Sequence, residues 1–285
     1  MKTERNILIA FILNMAFSIF EFWGGIFTGS VAIISDAVHD AGDALSIGIS
    51  WFLERKSRKQ PDDRYTFGYA RYSIIGGFLT TIVLIIGSII MICNAVLRII
   101  TPVEISYNSM IVFAIAGTFV NLSASLVTRH GDSLNQKAVN LHMLEDVLGW
   151  IIVLVGAILM RFTDCILIDP FMSIGVSLFI LFRAIGNLKE ILDVFLEKAP
   201  RGIDVALVKK QLEEIDGVLG VHHLCIWSLD EKNRCAMVHI VTDSEPDKIK
   251  ESVRSELNLF GIRHVTVELE SFNIELQNPD DYLSG

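Results

Sequence analysis

VAIISDAVHDAGDALSIGISWFL, residues 31–53, is a run of bilayer-crossing length that carries Asp36, His39, Asp40 and Asp43 in its interior. A membrane-spanning helix takes about 17 to 25 mostly apolar residues. A charged group held in hydrocarbon is costly, so it faces a protein interior or a water-filled cavity and has a functional reason to be there. A second such run, residues 137–160, contains HMLED with His142, Glu145 and Asp146. Apolar stretches at residues 6–28, 73–97, 107–127 and 166–185 complete a set of six, and those at 73–97 and 107–127 have no ionisable side chain in their interiors. Intramembrane polarity is therefore concentrated in the second and fifth spans. The composition agrees: 52% of the 285 residues are hydrophobic, 20% are charged and the mean hydropathy is +0.50, too apolar for one water-soluble domain.

Working outward, charge separates two parts. Residues 1–199 hold 15 Lys+Arg against 17 Asp+Glu, whereas residues 200–285 hold 9 against 16, a net −7 out of the chain's −9. The expectation is a six-helix transmembrane domain over 1–199 and a soluble α+β domain over 200–285. The acidic balance argues against a nucleic-acid partner, which requires a basic face. Cys93, Cys165, Cys225 and Cys235 form no CxxC pair, so neither a disulfide framework nor a sulfur-rich zinc finger is implied. The first span carries Glu21 and lacks a small-residue cleavage pattern, which reads as a retained helix and not a signal peptide. All six prolines lie outside span interiors or in a first turn, which suits uninterrupted helices. Residues 54–72 carry Arg55, Lys56, Arg58, Lys59, Arg64 and Arg71, and the next connection on that side adds Arg129 and Lys137. By the excess of Lys and Arg in cytoplasmic loops, both termini are expected in the cytoplasm of a multi-pass protein of the cell membrane. Residues 186–203 read as an amphipathic exit from the sixth span. Beyond it a helix over 204–215, two alternating stretches joined by a turn at 230–234, a helix from an N-cap at Ser244 with Pro246 just inside, and a final strand IRHVTVELE give the order αββαβ.

His39 with Asp43 and His142 with Asp146 are both H-x-x-x-D. Residues four apart stack on one helix face, so each helix presents one imidazole and one carboxylate to a common point. Two imidazoles and two carboxylates suit a divalent cation that accepts N and O donors in a tetrahedron, Zn²⁺ foremost. The second and fifth spans run in opposite directions, and at about 1.5 Å per residue both pairs fall in one layer near mid-membrane. Asp36, three residues before His39, is read as assisting the ligands or admitting ions. Glu21 shares a face of the first span with Asn14 and is read as a partner of polar groups that helps admit ions. Asp40 and Glu145 point about 100° away from the neighbouring ligand and are read as polar neighbours.

GSVAIISDAVHDAGD, RYTFGYAR, HMLEDVLGW, IDPFMSIGVSLFI and VHHLCIWSL, in this order and spacing, resemble the cation diffusion facilitators, a family of proton-coupled divalent-metal exporters. The resemblance covers nearly the whole chain. It implies a homodimer of six-helix protomers embedded in membrane lipid, each with a metallochaperone-like αββαβ domain in the cytoplasm. It also implies a transport site of His39, Asp43, His142 and Asp146, favouring zinc with cadmium or cobalt tolerated. His222, His239 and Glu270 correspond to positions that bind a regulatory metal in some members, with His223 as an alternative. QPDDRYTFGYAR lacks the histidine that some members use for metal in that connection, and no site is assigned there.

The expected function is efflux of divalent cations, most simply Zn²⁺, from the cytoplasm in exchange for protons by alternating access. No prosthetic group is expected and no enzymatic step is needed. Because a dication displaces protons from its ligands, binding is linked to pH. Two other readings stay open on the residues alone: a membrane-embedded metal sensor that binds without transporting, and an intramembrane metal hydrolase. The latter is disfavoured because it needs an open ligand position and a general base, and no HExxH occurs.

Overall fold

Each of the six apolar stretches is a long helix in the computed structural model, which describes residues 2–28, 31–101, 107–129, 133–163, 168–230 and 233–271. Helices α1 (Lys2–Thr28), α2 (Val31–Ser57), α3 (Arg71–Ile100), α4 (Tyr107–Thr128), α5 (Leu134–Thr163) and α6 (Ile168–Phe195) follow one another. The shortest has 22 residues, and at about 1.5 Å per residue even that helix covers a hydrocarbon core of about 30 Å. Among the described residues, Thr3–Gly24 and Arg71–Ile100 are long and apolar enough to cross a membrane by length and composition alone. Large apolar side chains turned outward, Phe119 and Phe182 among them, would be a severe liability in water and are ordinary in lipid.

The chain divides into two compact units, Met1–Ile191 and Leu192–Gly285. In the first, α1 lies along α2, α4 along α5, and α3 packs on both α2 and α5. Ile7 and Ala10 of α1, Ile47 of α2, Ala124 of α4, and Val139 and Met143 of α5 form a fully buried apolar cluster. Polar side chains fix the position of α5 against its neighbours. Asn140 donates to the Ser125 carbonyl at 2.7 Å and to Thr128 Oγ1 at 3.0 Å, and Gln136 Nε2 donates to the Thr128 carbonyl at 2.9 Å. Trp150 of α5 lies edge-on to Phe17 of α1 at 5.6 Å and covers Gly117 of α4 so closely that a Cβ there would stand 2.5 Å from its ring. Asn187 of α6 donates to Thr81 of α3 at 2.8 Å.

The expected amphipathic exit over 186–203 is the uninterrupted end of α6 as far as Phe195, followed by turns in which Gly202 has φ +82°. In the second unit, Asp204 caps α7 (Val205–Glu213), its carboxylate accepting from the Ala206 and Leu207 amides. Strands β1 (Gly220–Ser228) and β2 (Arg234–Val241) pair antiparallel, and after α8 (Pro246–Leu259) strand β3 (Ile262–Glu270) pairs parallel to β2. The order is αββαβ. Val221, Ile226, Ala236, Val238 and Ile240 face Val208, Leu212, Ile249, Val253 and Leu257 of the two helices. Helix α8 starts one residue later than the Ser244 cap predicts. Pro246 occupies the first helical position, where its missing N–H costs nothing, and proline keeps the preceding Glu245 extended, so Glu245 is the cap residue.

The connection between α2 and α3 is folded on itself. Asp62 accepts from the Tyr69 hydroxyl at 2.7 Å and from the Tyr65 and Arg64 amides at 2.9 and 3.0 Å. Tyr65, Tyr69 and Tyr72 cluster their rings, and Lys56 lies over Tyr72 at 4.1 Å. The hydrogen bond from Tyr69, followed by that from the Tyr65 amide, holds the Asp62 carboxyl below its ordinary pKa of 3.8. In turn Asp62 pushes the Tyr69 hydroxyl up to about 12. A depressed carboxyl stabilises the folded loop at pH above its unfolded value, and that contribution is lost as pH falls through the lower, folded value. Carboxyl NMR titration should therefore show Asp62 ionising below 3.8 in the parent and moving upward in Tyr69→Phe. Gly117→Val should lower the thermal stability of the detergent-solubilised protein, since overpacking costs about 1 to 3 kcal/mol; an unchanged melting curve would show that Trp150 does not rest on Gly117.

Candidate metal centre

Helices α2 and α5 meet at their polar faces. Asp43 of α2 and His142 and Asp146 of α5 each offer a ligand atom, and these atoms all lie within 4.8 Å of one another. His142 is 3% exposed and Asp43 8%. The His142 Nε2 stands 3.5 Å from Asp43 Oδ2, and among the described residues neither ring nitrogen has a hydrogen-bond partner. Buried polar atoms are ordinarily satisfied. An imidazole nitrogen facing two carboxylates, with none of its own hydrogen bonds made, suits a divalent cation seated between them. Residues 31–53 and 138–160 contain Asp36, Asp40, Asp43, Glu145 and Asp146 and no Lys or Arg. The local field attracts cations.

His39 lies one turn before Asp43 in α2, as HDAGD dictates, but its side chain and that of Asp36 lie outside the described residues. Asp40 is half-buried beside the group, and Glu145 accepts a hydrogen bond from Ser88 of α3 at 3.1 Å. Glu21 is buried on α1, on one stripe with Asn14 and Ser18, and is not one of the three clustered residues. Ser18 donates to the Ala37 carbonyl at 2.7 Å, tying α1 to α2 six residues before Asp43.

A second group of histidines and carboxylates occupies the sheet face opposite α7 and α8. His222 and His239 are directly opposed across the β1–β2 ladder, and His239 Nδ1 is 2.8 Å from Glu270 Oε1. Between His222 and Cys225 the ladder slips, two residues of β1 opposing Val238 alone, the geometry of a β-bulge. His223 takes a positive φ of 46° there, and its ring lies 5.2 Å from that of His239. The bulge thus turns His223 toward the residue that strict alternation would set on the opposite face. Glu268, which the sequence reading passed over, opposes His239 in the parallel ladder and places Oε2 3.4 Å from His239 Nε2. Its signal was the i, i+2 relation to Glu270, which puts both carboxylates on one face of β3.

Two family models match the chain: one described as "Cation efflux transmembrane domain" over residues 7–196, and one described as "Cation efflux protein, cytoplasmic domain" over residues 200–272. The chain is 33% identical over 273 residues to the "Cation efflux system protein CzcD" of Alcaligenes sp. (strain CT14), covering 94% of this chain and 86% of that protein. It is 30% identical over 287 residues to the "Cadmium, cobalt and zinc/H(+)-K(+) antiporter" of Bacillus subtilis (strain 168), covering 98% and 91%. To the "Zinc transporter ZitB" of Escherichia coli (strain K12) it is 30% identical over 275 residues, covering 94% and 88%.

Removal of one charged donor from a three-residue cluster should weaken cation binding far more than removal of a neighbour. In equilibrium dialysis with Zn²⁺, Asp43→Ala and Asp146→Ala should each lower affinity by at least about 100-fold, since loss of even an outer partner of a metal ligand costs about 10 to 100-fold. Glu145→Gln, bonded to Ser88, should stay near the parent. Equal losses in all three variants would contradict the grouping.

Proposed function

Because this chain belongs to the cation efflux family, we propose that it carries divalent cations, Zn²⁺ first among them, out of the cytoplasm in exchange for protons. The observation that carries the reading is the meeting of Asp43, His142 and Asp146 from two antiparallel helices, all three donors lying within 4.8 Å of one another. His39 supplies the fourth donor on this reading, because its place one turn before Asp43 repeats the relation of His142 to Asp146. Cobalt and cadmium accept such N and O donors as well, and the names of the relatives include zinc, cadmium and cobalt.

Exchange follows from the donor chemistry. Each imidazole must be neutral to bind metal and each carboxylate ionised, so loading releases protons and protonation ejects the ion. Imidazole, with an ordinary pKa of about 6.5, changes state between a near-neutral cytoplasm and a more acidic exterior. Movement of α2 and α5 between an opening on one side and an opening on the other completes the cycle without nucleotide; no GxxxxGK[ST] is present. The basic connection over residues 54–72 supports termini on the cytoplasmic side of the cell membrane. The match to a cytoplasmic domain supports a homodimer assembled through residues 200–272. His222, His239 and Glu270, joined by Glu268, are the groups through which metal in the cytoplasm would regulate transport. The relatives are named as transporters and antiporters, and the protein is a transporter and not an enzyme.

Purified protein in sealed proteoliposomes should accumulate Zn²⁺ when the lumen is acid, with protons leaving as zinc enters. Asp43→Ala and Asp146→Ala should abolish both fluxes. Binding of zinc without flux in the parent would assign the protein to metal sensing instead, and zinc flux with no accompanying pH change would remove the exchange.

A further inference from the structure

Among the described residues, helices α2 and α5 touch through polar side chains at two places, and the proposed ion site is only the first. Ser50 lies seven residues after Asp43 in α2, and Asn135 seven residues before His142 in α5. Because the helices are antiparallel, both steps run about 10 Å in the same direction, toward the basic ends. There Ser50 Oγ donates to Asn135 Oδ1, and Asn135 Nδ2 donates to the Ser50 carbonyl at 3.1 Å and to Glu54 Oε2 at 3.3 Å. Ser73 of α3 donates to the same carboxylate oxygen at 2.5 Å. Arg58 stands 3.7 Å from Glu54 Oε1 and is itself held 3.6 Å from Glu4 of α1. One carboxylate therefore joins α2, α3 and α5 directly and α1 through Arg58. Asn135 is fully buried, and Ser50, Glu54 and Ser73 are each at most 5% exposed. Gly76 and Gly77 of α3 let it in so closely that a Cβ at either would lie 2.9 to 3.0 Å from Asn135.

Between this polar layer and Asp43, Ile47, Ala138 and Val139 have no exposed surface. On the opposite side of the site the packing is looser among the described residues. Asp40 and Asp146 are half-buried, and a Cβ at Gly42 or Gly149 would meet open space. Among the described residues the structure is thus closed toward the basic ends and looser beside Asp40 and Asp146.

We propose that Glu54, with Asn135, Ser50 and Ser73, is the latch that closes the cytoplasmic end of the ion path and positions α2 against α5, and that it must part for metal to enter. The proposal rests on the transport reading above. Its chemistry suits a closure that reopens. A wholly apolar seal gains nothing from water, whereas each latch bond exchanges for a bond to water at small net cost once the helices separate. While closed, the carboxylate makes charge-assisted bonds, which are stronger than neutral ones, and an unpaired carboxylate left buried is strongly disfavoured. The latch is therefore either fully made or fully hydrated, which is the behaviour of a two-position element.

The test uses the full-length protein with Cys93, Cys165, Cys225 and Cys235 replaced by Ser and one reporter, Ala138→Cys, which lies between the latch and His142 on α5. Everted vesicles are treated with a membrane-impermeant maleimide. Asn135→Ala and Glu54→Gln should label at least about tenfold faster than the parent, the scale of losing hydrogen bonds to a charged group, and Ser73→Ala should accelerate labelling less. Labelling of a control reporter, Ala184→Cys, buried against α3, should not change. The proposal is overturned if a parent that transports zinc labels at the same rate as all three variants, or if the control accelerates equally, which would mean general loosening. A parent that carries no zinc would refute the transport reading while leaving the labelling contrast to report on the closure alone.

Discussion

Ionised groups in a membrane are tolerated only where protein or a bound ion replaces the water they have lost, and this constraint organises the first unit. Asp43, His142 and Asp146 converge on two helices whose central segments bear no Lys or Arg. Most of the other polar contacts in that unit hold these two helices in place. Ser18 fixes the start of α2 to α1, Asn140 and Gln136 fix α5 to α4, and Ser88 takes up Glu145. Ile7, Ile47 and Val139, in one buried apolar cluster, lie on the basic side of the site. A rigid setting of this kind matters because metal ligation tolerates little error in donor position.

The same logic appears in the second unit with the sign of exposure reversed. Its helices cover one sheet face with apolar side chains, leaving the other for His222, His239, Glu268 and Glu270. The β-bulge adds His223 to that face by breaking the alternation of β1. On the proposed function, this sheet face is where a soluble cation is sensed and the group between α2 and α5 is where one is exchanged. The two sets differ in burial accordingly: His142 is enclosed by helices, and Glu268 is well exposed.

Hydropathy made the six helices legible because a spanning segment must satisfy its own backbone and present apolar side chains along its length. The αββαβ order was legible from alternation and turn residues. The convergence of Asp43 with His142 and Asp146 followed from equal H-x-x-x-D spacing on antiparallel helices. Other features depended on contacts between elements far apart in sequence. Glu54 sits at the end of a span, where a carboxylate is unremarkable until Asn135 and Ser73 are seen to enclose it. Glu268 gains meaning only from the parallel register of β3 with β2. The one-residue shift in the start of α8 came from the proline rule outweighing the preference for serine as a cap.

The central claim is that a zinc ion is bound between α2 and α5 by imidazole and carboxylate. X-ray absorption at the zinc edge tests it most directly, on protein loaded with one equivalent of Zn²⁺ and carrying His222→Ala and His239→Ala to empty the sheet. The account predicts a first shell of nitrogen and oxygen at about 2.0 to 2.2 Å with imidazole scattering, lost in Asp146→Ala. A sulfur shell near 2.3 Å, or a spectrum unaltered by Asp146→Ala, would contradict it.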